Sequence, residues 1–410
     1  MKYGVMYYKE TDNIGDDIQS YAAMRFLPHI DYYIDRESLN CFIPMKKEYV
    51  SMIMNGWFLH NKLAWPPSPY INPLCVSMHF TSLESIDVGD KYLKRFGGEY
   101  LKQFGTIGAR DIETQKRLEK NGIESYFSGC LTLTINKFDN IKKVDKICLV
   151  DLEENIVEKI KESTNLKIEV LTHWLNQEET AQKDFTKRMN DVENLLKKYQ
   201  ESKLVITNRL HVALPCLALG TPVILIHKEV YEKDRLDTFL KFMPNYVDTE
   251  FIKMDIKELL KNSSFNNEEF LNIRNNLIKK CVDFINNCEQ NELNIDKLPE
   301  IDKYYKNYVS KIEWYRKLHE ETYTKSKQTI INYENKIKKM NTDQNQIILK
   351  QKEKIKNVED EKEKSLKEKQ IEIEFLKEKN ESILAELNKV YNSKGWKILE
   401  KIRKIKRGKK

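Results

Sequence analysis

The 410-residue sequence predicts an α/β chain of parallel sheets covered by helices, followed by a long helical coiled coil. Two observations carry this. Short apolar runs alternate with amphipathic, helix-length segments as far as about residue 262, and beyond Pro299 the composition turns to Lys, Glu, Asn and Gln. A strand at Tyr3 to Tyr8 leads into DNIGDDIQSYAAMRFL, Asp12 to Leu27, a loop and a helix. IGARDIETQKRLEKNGI, Ile107 to Ile123, is a strand end delivering Arg110 and Asp111 before an amphipathic helix. A second alternation places strands at Lys146–Asp151, Leu166–Leu171 and Lys203–Ile206, with helices at Ile156–Glu162 and Met189–Tyr199. Apolar strands alternating with helices imply parallel sheets buried on both faces. The expected organisation is an N-terminal domain at 1–140, a second domain at 141–262, a helical connection at 263–323, a coiled coil at 324–390 and a basic tail at 391–410.

TNRLHVALPCLALGTPVILI, Thr207 to Ile226, is the most informative stretch. Thr207 or Asn208 can cap a helix in which Leu210, Ala213, Leu214 and Leu217 recur at helical spacing. Pro215 is expected to kink that helix, Gly220 to end it, and Pro222 to open the strand Val223–Ile226. A strand-to-helix turn at the carboxyl edge of a parallel sheet gathers N–H groups and the positive end of a helix dipole, so anions bind there. Arg209 adds a bidentate fork, and His211 a group that exchanges a proton near neutral pH. A plainer reading pairs Arg209 with a nearby carboxylate and leaves His211 as a satisfied helix-end histidine.

Three segments together resemble the polysaccharide pyruvyl transferase family: the Asn-x-Gly-Asp loop at Asn13, the Arg-Asp element at Arg110 and Asp111, and Arg209-x-His211 with its Gly-x-Pro sequel. The resemblance covers roughly the first 260 residues. It implies two Rossmann-like domains facing a cleft, similar to the GT-B glycosyltransferases, and transfer of pyruvate from phosphoenolpyruvate to a sugar as a ketal. On that reading the donor is held by Arg209, Arg110, Thr207, Asn208 and Lys228, with Lys233 and Arg235 nearby. His211 is the expected general acid, and Asp111, Asp16 or Asp17 accepts the hydroxyl proton. No cofactor beyond phosphoenolpyruvate as co-substrate is expected, and no His, Cys or Asp spacing argues for a metal. YFSGCLTLTI, Tyr126 to Ile135, departs from the pattern, with Ser128, Gly129 and Cys130 where many relatives carry an acid. The block from Ile53 to Phe80 is dense in Trp, Pro, Tyr and His. It reads equally as a sugar-binding wall or as a well-packed aromatic excursion; with Asn13 it supplies the acceptor candidates Asn55, Trp57, His60, Trp65 and His79. Alternatives are a GT-B glycosyltransferase with a nucleotide-sugar donor, and a non-catalytic glycan-binding scaffold.

The chain is 40% hydrophobic and 32% charged, and its net charge of +7 has an address. Tyr391 to Lys410 holds nine Lys or Arg against Glu400 alone, so the rest sums to −1. Trp396, Ile398, Leu399, Ile402 and Ile405 share one helical face there, which suits an anionic membrane surface better than nucleic acid. Cys41, Cys75, Cys130, Cys148, Cys216, Cys281 and Cys288 show no paired spacing and fit a reducing compartment. The opening residues MKYGVMYYKE and the lack of an eighteen-residue apolar run point to a cytoplasmic protein, or one peripheral on the inner face of the membrane. Asn266 to Asn287 reads as one helix with Phe270, Ile273, Leu277, Cys281 and Phe284 on a face. Further on, Ile330, Tyr333, Ile337, Met340 and Ile347 fit one register and Leu376, Ile383, Leu387 and Val390 another, the pattern of a helix that pairs as a homodimer.

Overall fold

The computed structural model describes residues 1–298 except residue 10 and the stretches 59–64, 81–92, 94–95, 229–232, 263–266 and 292; beyond 298 it describes parts of 299–306, 324–336 and 362–389. Residues Met1–Leu298 form one compact unit and Pro299–Lys410 another.

The first unit holds two parallel sheets. Strands β1 (Lys2–Tyr7), β2 (Tyr32–Asp35), β3 (Val50–Phe58), β4 (Ile71–Phe80), β5 (Ile107–Ala109) and β6 (Ser125–Phe127) lie in the order β2-β1-β3-β4-β5-β6. β7 (Val144–Val150), β8 (Lys167–Leu171), β9 (Ser202–Thr207), β10 (Val223–His227) and β11 (Asn245–Val247) lie in the order β11-β10-β9-β7-β8. Every pairing is parallel, as the apolar runs require. The strand order reverses beside β1 in the first sheet and between β7 and β9 in the second. Crevices outside the carboxyl ends of strands open at such switch points. The Asn13 loop follows β1, while Asp151 and Arg209 follow β7 and β9.

The two sheets are locked together. The core joins Val5, Ile14 and Ile18 of the first half to Val205, Leu210 and Leu214 of the second. Ile14 N donates to His173 O at 3.0 Å, Leu175 N donates to Asp12 O at 2.6 Å, and Asn13 bridges Trp174. The Arg188 guanidinium donates to both Asp17 oxygens at 2.6 and 3.0 Å and to Tyr8 O at 2.7 Å, all of it buried. Helix Phe270–Gln290 then packs back, burying Phe270, Leu277, Cys281 and Cys288. This is the expected face, on a helix that starts four residues and ends three residues later than the expected Asn266 to Asn287. Gly129, at φ +74, permits that docking, because a Cβ there would lie 2.5 Å from Ile273 Cγ2.

In the second unit, the helical stretch at 324–333 meets Lys369 of the same chain. The Lys369 ammonium lies 3.7 Å from the Tyr333 ring centroid and 3.4 Å from Thr329 O, with Ile330, Leu376 and Ile383 buried. One uninterrupted helix would hold residues 333 and 369 about 54 Å apart, so these contacts join two helical stretches of the same chain. Ile337, Met340, Ile347, Val390 and the tail at 391–410 lie outside the described residues. Among the described residues no helix is long and apolar enough to cross a membrane.

Candidate functional site

At the carboxyl edge of the second sheet, Thr207 ends β9 and its side chain is spent on the turn. Its hydroxyl donates to Val150 O at 3.2 Å and accepts from Arg209 N at 2.9 Å. The residue is fully buried, and Asn208 beside it is exposed. The helix Leu210–Leu219 is capped by Arg209 in extended backbone, without a side-chain cap, rather than by Thr207 or Asn208. Pro215 sits inside that helix, one turn beyond His211, and Gly220 at φ +68 ends it. Among the described residues no side chain caps this helix start, which suits an incoming anion.

Arg209 is pinned on two sides. Its Nε donates to Asp151 Oδ2 at 2.9 Å and its guanidinium stacks 4.4 Å above the Trp174 ring, whereas its terminal nitrogens carry no hydrogen bond among the described residues. Asp151 holds a left-handed conformation, φ 54, and its carboxylate also accepts from Thr172 Oγ1 at 2.6 Å and His173 N at 3.1 Å. The plainer reading of Arg209 thus holds in part, since the carboxylate is real but engages one edge of the fork. Trp174 is 56% exposed and links the Arg209 turn to the Asn13 loop. Sequence reasoning missed it, because a lone Trp between a strand and a polar helix carries no motif.

The Asn13 loop faces His211. Asn13 Oδ1 accepts from Gly15 N at 2.9 Å and caps the helix Ile14–Met24. A Cβ on Gly15 would stand 3.1 Å from His211 Nδ1, so the glycine admits the imidazole. Asp16 accepts from Thr11 Oγ1 at 2.8 Å and lies 3.8 Å from Arg36, only partly buried. Asp17 points the other way, into the Arg188 ion pair; burial pushes its carboxyl up to about 7 against the pull of that guanidinium. Such a carboxylate supports the join between the halves and is out of reach of a sugar hydroxyl. Lys228 is a surface residue paired with Glu153 at 2.8 Å, and the side chains of Lys233 and Arg235 lie outside the described residues.

The carboxyl edge of the first sheet is deeper. Asp111 caps helix Ile112–Lys120 through Thr114 N at 2.9 Å and accepts from His79 Nδ1 at 2.6 Å, which itself lies 3.1 Å from Thr114 Oγ1. Burial opposes the charge on Asp111, but His79, Arg110 and the Thr114 N–H hold its carboxyl well below the usual range. The structure thus places Asp111 against His79 and the Thr114 N–H. Arg110, 2% exposed, lies 3.6 Å from Asp111, too far for a hydrogen bond, and its charge reaches the Tyr8 hydroxyl. Asn55 is buried, donating to Gln19 O at 3.1 Å, with no hydrogen-bond partner for its Oδ1 among the described residues. Trp65 packs among Phe58, Phe80 and Tyr100 at centroid separations of 5.6, 5.9 and 5.7 Å. It belongs to a buried core together with Phe58 and Phe80 of the same block. Trp57 is half-buried with its carbonyl near Arg36, and His60 lies outside the described residues. The unusual Ser128 is structural: its hydroxyl accepts from Ser77 N at 3.0 Å and donates to Ala109 O at 2.9 Å. Among the described residues no group of three His, Cys, Asp or Glu is placed to hold a metal ion.

Residues 13–226, just over half the chain and all three motifs, match the family described as polysaccharide pyruvyl transferase. No curated protein matches. Similar solved structures include a functionally uncharacterised protein from Klebsiella pneumoniae (12% identity, 58% of this chain and 88% of that one, TM-score 0.35). Others are a UDP-N-acetylglucosamine 2-epimerase (14%, 73% and 99%, TM-score 0.38) and S. aureus MnaA in a co-structure with UDP (14%, 64% and 89%, TM-score 0.35).

Proposed function

The chain belongs to the polysaccharide pyruvyl transferase family, and on that basis we propose that it transfers pyruvate from phosphoenolpyruvate to two hydroxyls of a sugar in a cell-surface glycan or its lipid-linked precursor. The observation that carries the reading is Arg209: held by Asp151 and Trp174, it presents its terminal nitrogens beside an uncapped helix start and two residues from His211. A fixed guanidinium at a helix N-terminus matches a carboxylate or phosphate.

The reaction divides among these groups as follows. Arg209, the helix start and Arg110 hold the donor's charged oxygens. His211 gives a proton to the methylene carbon, leaving a cationic centre at the adjacent carbon. A sugar hydroxyl adds there and releases its proton to a base, for which Asp16 remains the candidate beside the Asn13 loop. A second hydroxyl then displaces phosphate from the same carbon, closing the ketal. One hydroxyl proton replaces the one spent by His211 and the other leaves with phosphate. The basic tail would hold the enzyme at an anionic membrane, where lipid-linked acceptors reside, and a homodimer through the C-terminal helices would double that contact.

The test is incubation with phosphoenolpyruvate and lipid-linked saccharides, read by phosphate release and by mass spectrometry of the acceptor. Ketal-bearing product with stoichiometric phosphate is expected, and His211→Ala should lose about 10²–10⁴-fold in turnover while still binding donor. Phosphate release without any change in the acceptor would contradict the reading.

A further inference from the structure

Trp174 stands exposed on a backbone that both halves fix. It is 56% exposed, whereas Trp57 is half-buried and Trp65, expected in a sugar-binding wall, is packed into the core. Its N–H donates to Thr172 Oγ1 at 3.0 Å, and that hydroxyl donates to Asp151 Oδ1 at 2.6 Å. Its neighbours are bonded to the first half, His173 O by Ile14 N and Asp12 O by Leu175 N. A single exposed apolar side chain is ordinary, and what sets Trp174 apart is the company it keeps.

Two polar groups stand beside the indole. The Arg209 guanidinium lies 4.4 Å from the ring centroid and covers one face. With that face taken the residue is still more than half exposed, so the other face is open. Asn13 pairs with Trp174 in an antiparallel bridge whose hydrogen bonds come from Ile14 N and Leu175 N. Asn13 and Trp174 are therefore the facing pair that exchanges no bonds, the pair whose side chains lie on one side and closest together. Asn13 Oδ1 is spent on Gly15 N, which fixes the orientation of the amide, and its Nδ2 carries no hydrogen bond among the described residues.

A sugar ring has an apolar C–H face and a rim of hydroxyls, which a flat aromatic surface and a few fixed donors complement. We infer that the open face of Trp174 is a platform for a sugar ring of the acceptor, with the Asn13 amide donating to one of its hydroxyls. That this sugar receives pyruvate rests on the transfer reading above, whereas the platform itself does not. The indole then carries the acceptor on one face and Arg209 on the other, so Trp174 is a specificity-determining residue.

The test is saturation-transfer NMR of a panel of methyl glycosides of hexoses and N-acetylhexosamines with the full chain and its Trp174→Leu and Trp174→Tyr variants. Phosphoenolpyruvate and nucleotide sugars are titrated into each by calorimetry. At least one glycoside should bind the wild type, weaken by about tenfold or more in Trp174→Leu, and stay within about threefold in Trp174→Tyr, which keeps a flat ring. Phosphoenolpyruvate should lose less than the glycoside in Trp174→Leu, because Asp151 still holds Arg209. No glycoside binding to the wild type, binding unchanged in Trp174→Leu, or a loss as deep in Trp174→Tyr overturns the platform and leaves pyruvyl transfer standing. Equal losses of glycoside and phosphoenolpyruvate in Trp174→Leu also overturn it, since the indole then only supports Arg209. If nucleotide sugars need the ring and methyl glycosides do not bind, the indole stacks on a base and the platform falls. If glycosides need the ring while phosphoenolpyruvate does not bind the wild type, the platform stands and pyruvyl transfer falls.

Discussion

The two sheets end in edges of opposite character. At the first, Asn55, His79, Arg110 and Asp111 are all buried, with His79 bonded to Asp111, whereas at the second Arg209 is 24% exposed and Trp174 is 56% exposed. A buried edge is set by the fold before any ligand arrives, so its chemistry and its stability are the same residues. An edge at the surface can change affinity while the fold stands. Substitutions should therefore separate folding from binding at the second edge and fail to do so at the first.

The largest effect is expected where the halves join. Arg188→Leu strands Asp17 in the core, and chemical denaturation should show a loss of about 3–5 kcal/mol. A loss under about 1 kcal/mol would mean that the ion pair is dispensable and the halves are held by apolar packing alone. The same exchange at each edge sharpens the contrast. Asp111→Asn removes the charge holding His79 and should cost about 2–3 kcal/mol, against about 1 kcal/mol or less for Asp151→Asn, where asparagine tolerates the left-handed backbone and the partner is partly solvated. Equal costs would erase the distinction between the edges.

Acid should act at a third place, where His173 meets the Ile14 backbone that joins the halves. His173 bonds Tyr199 at 2.7 Å, and burial pushes its imidazole down from 6.5 to about 4. Between those values the unfolded chain takes up a proton that the folded chain refuses, so this histidine lowers stability as pH falls from about 6.5 to 4. Its contribution to the slope approaches about 1.4 kcal/mol per pH unit. Melting curves of His173→Gln should show a shallower decline over that window, and an identical decline would remove His173 from the account. The smallest effect is geometric: Gly15→Ala should crowd the Asn13 cap oxygen and His211 by a few tenths of an ångström, lowering turnover more than melting temperature. A variant that melts early at unchanged turnover would deny the loop its place beside His211.

The sequence made the second edge more legible than the first. Arg209-x-His211 sits between an apolar strand and a helix ended by Gly220, a local pattern, and the structure keeps it local. The sheet strands and the Phe270 face were readable for the same reason, because burial imposes a period on neighbouring residues. The first edge is assembled from residues far apart in sequence. Nothing in a linear reading pairs His79 with Asp111 or Ser77 with Ser128, and nothing distinguishes the solvent-facing Trp174 from the core-packed Trp65. Asp17 misled because Asn-x-Gly-Asp-Asp offers two acids and the helix turns only the first of them towards the loop.

Donor binding rests on Arg209, and the measurement is calorimetric titration of phosphoenolpyruvate, with nucleotide sugars in parallel, into the wild-type chain and Arg209→Ala. Phosphoenolpyruvate should bind the wild type and be lost in the variant, whose melting temperature stays within a few degrees of wild type. Binding of phosphoenolpyruvate that survives Arg209→Ala, or binding of a nucleotide sugar alone, would contradict it.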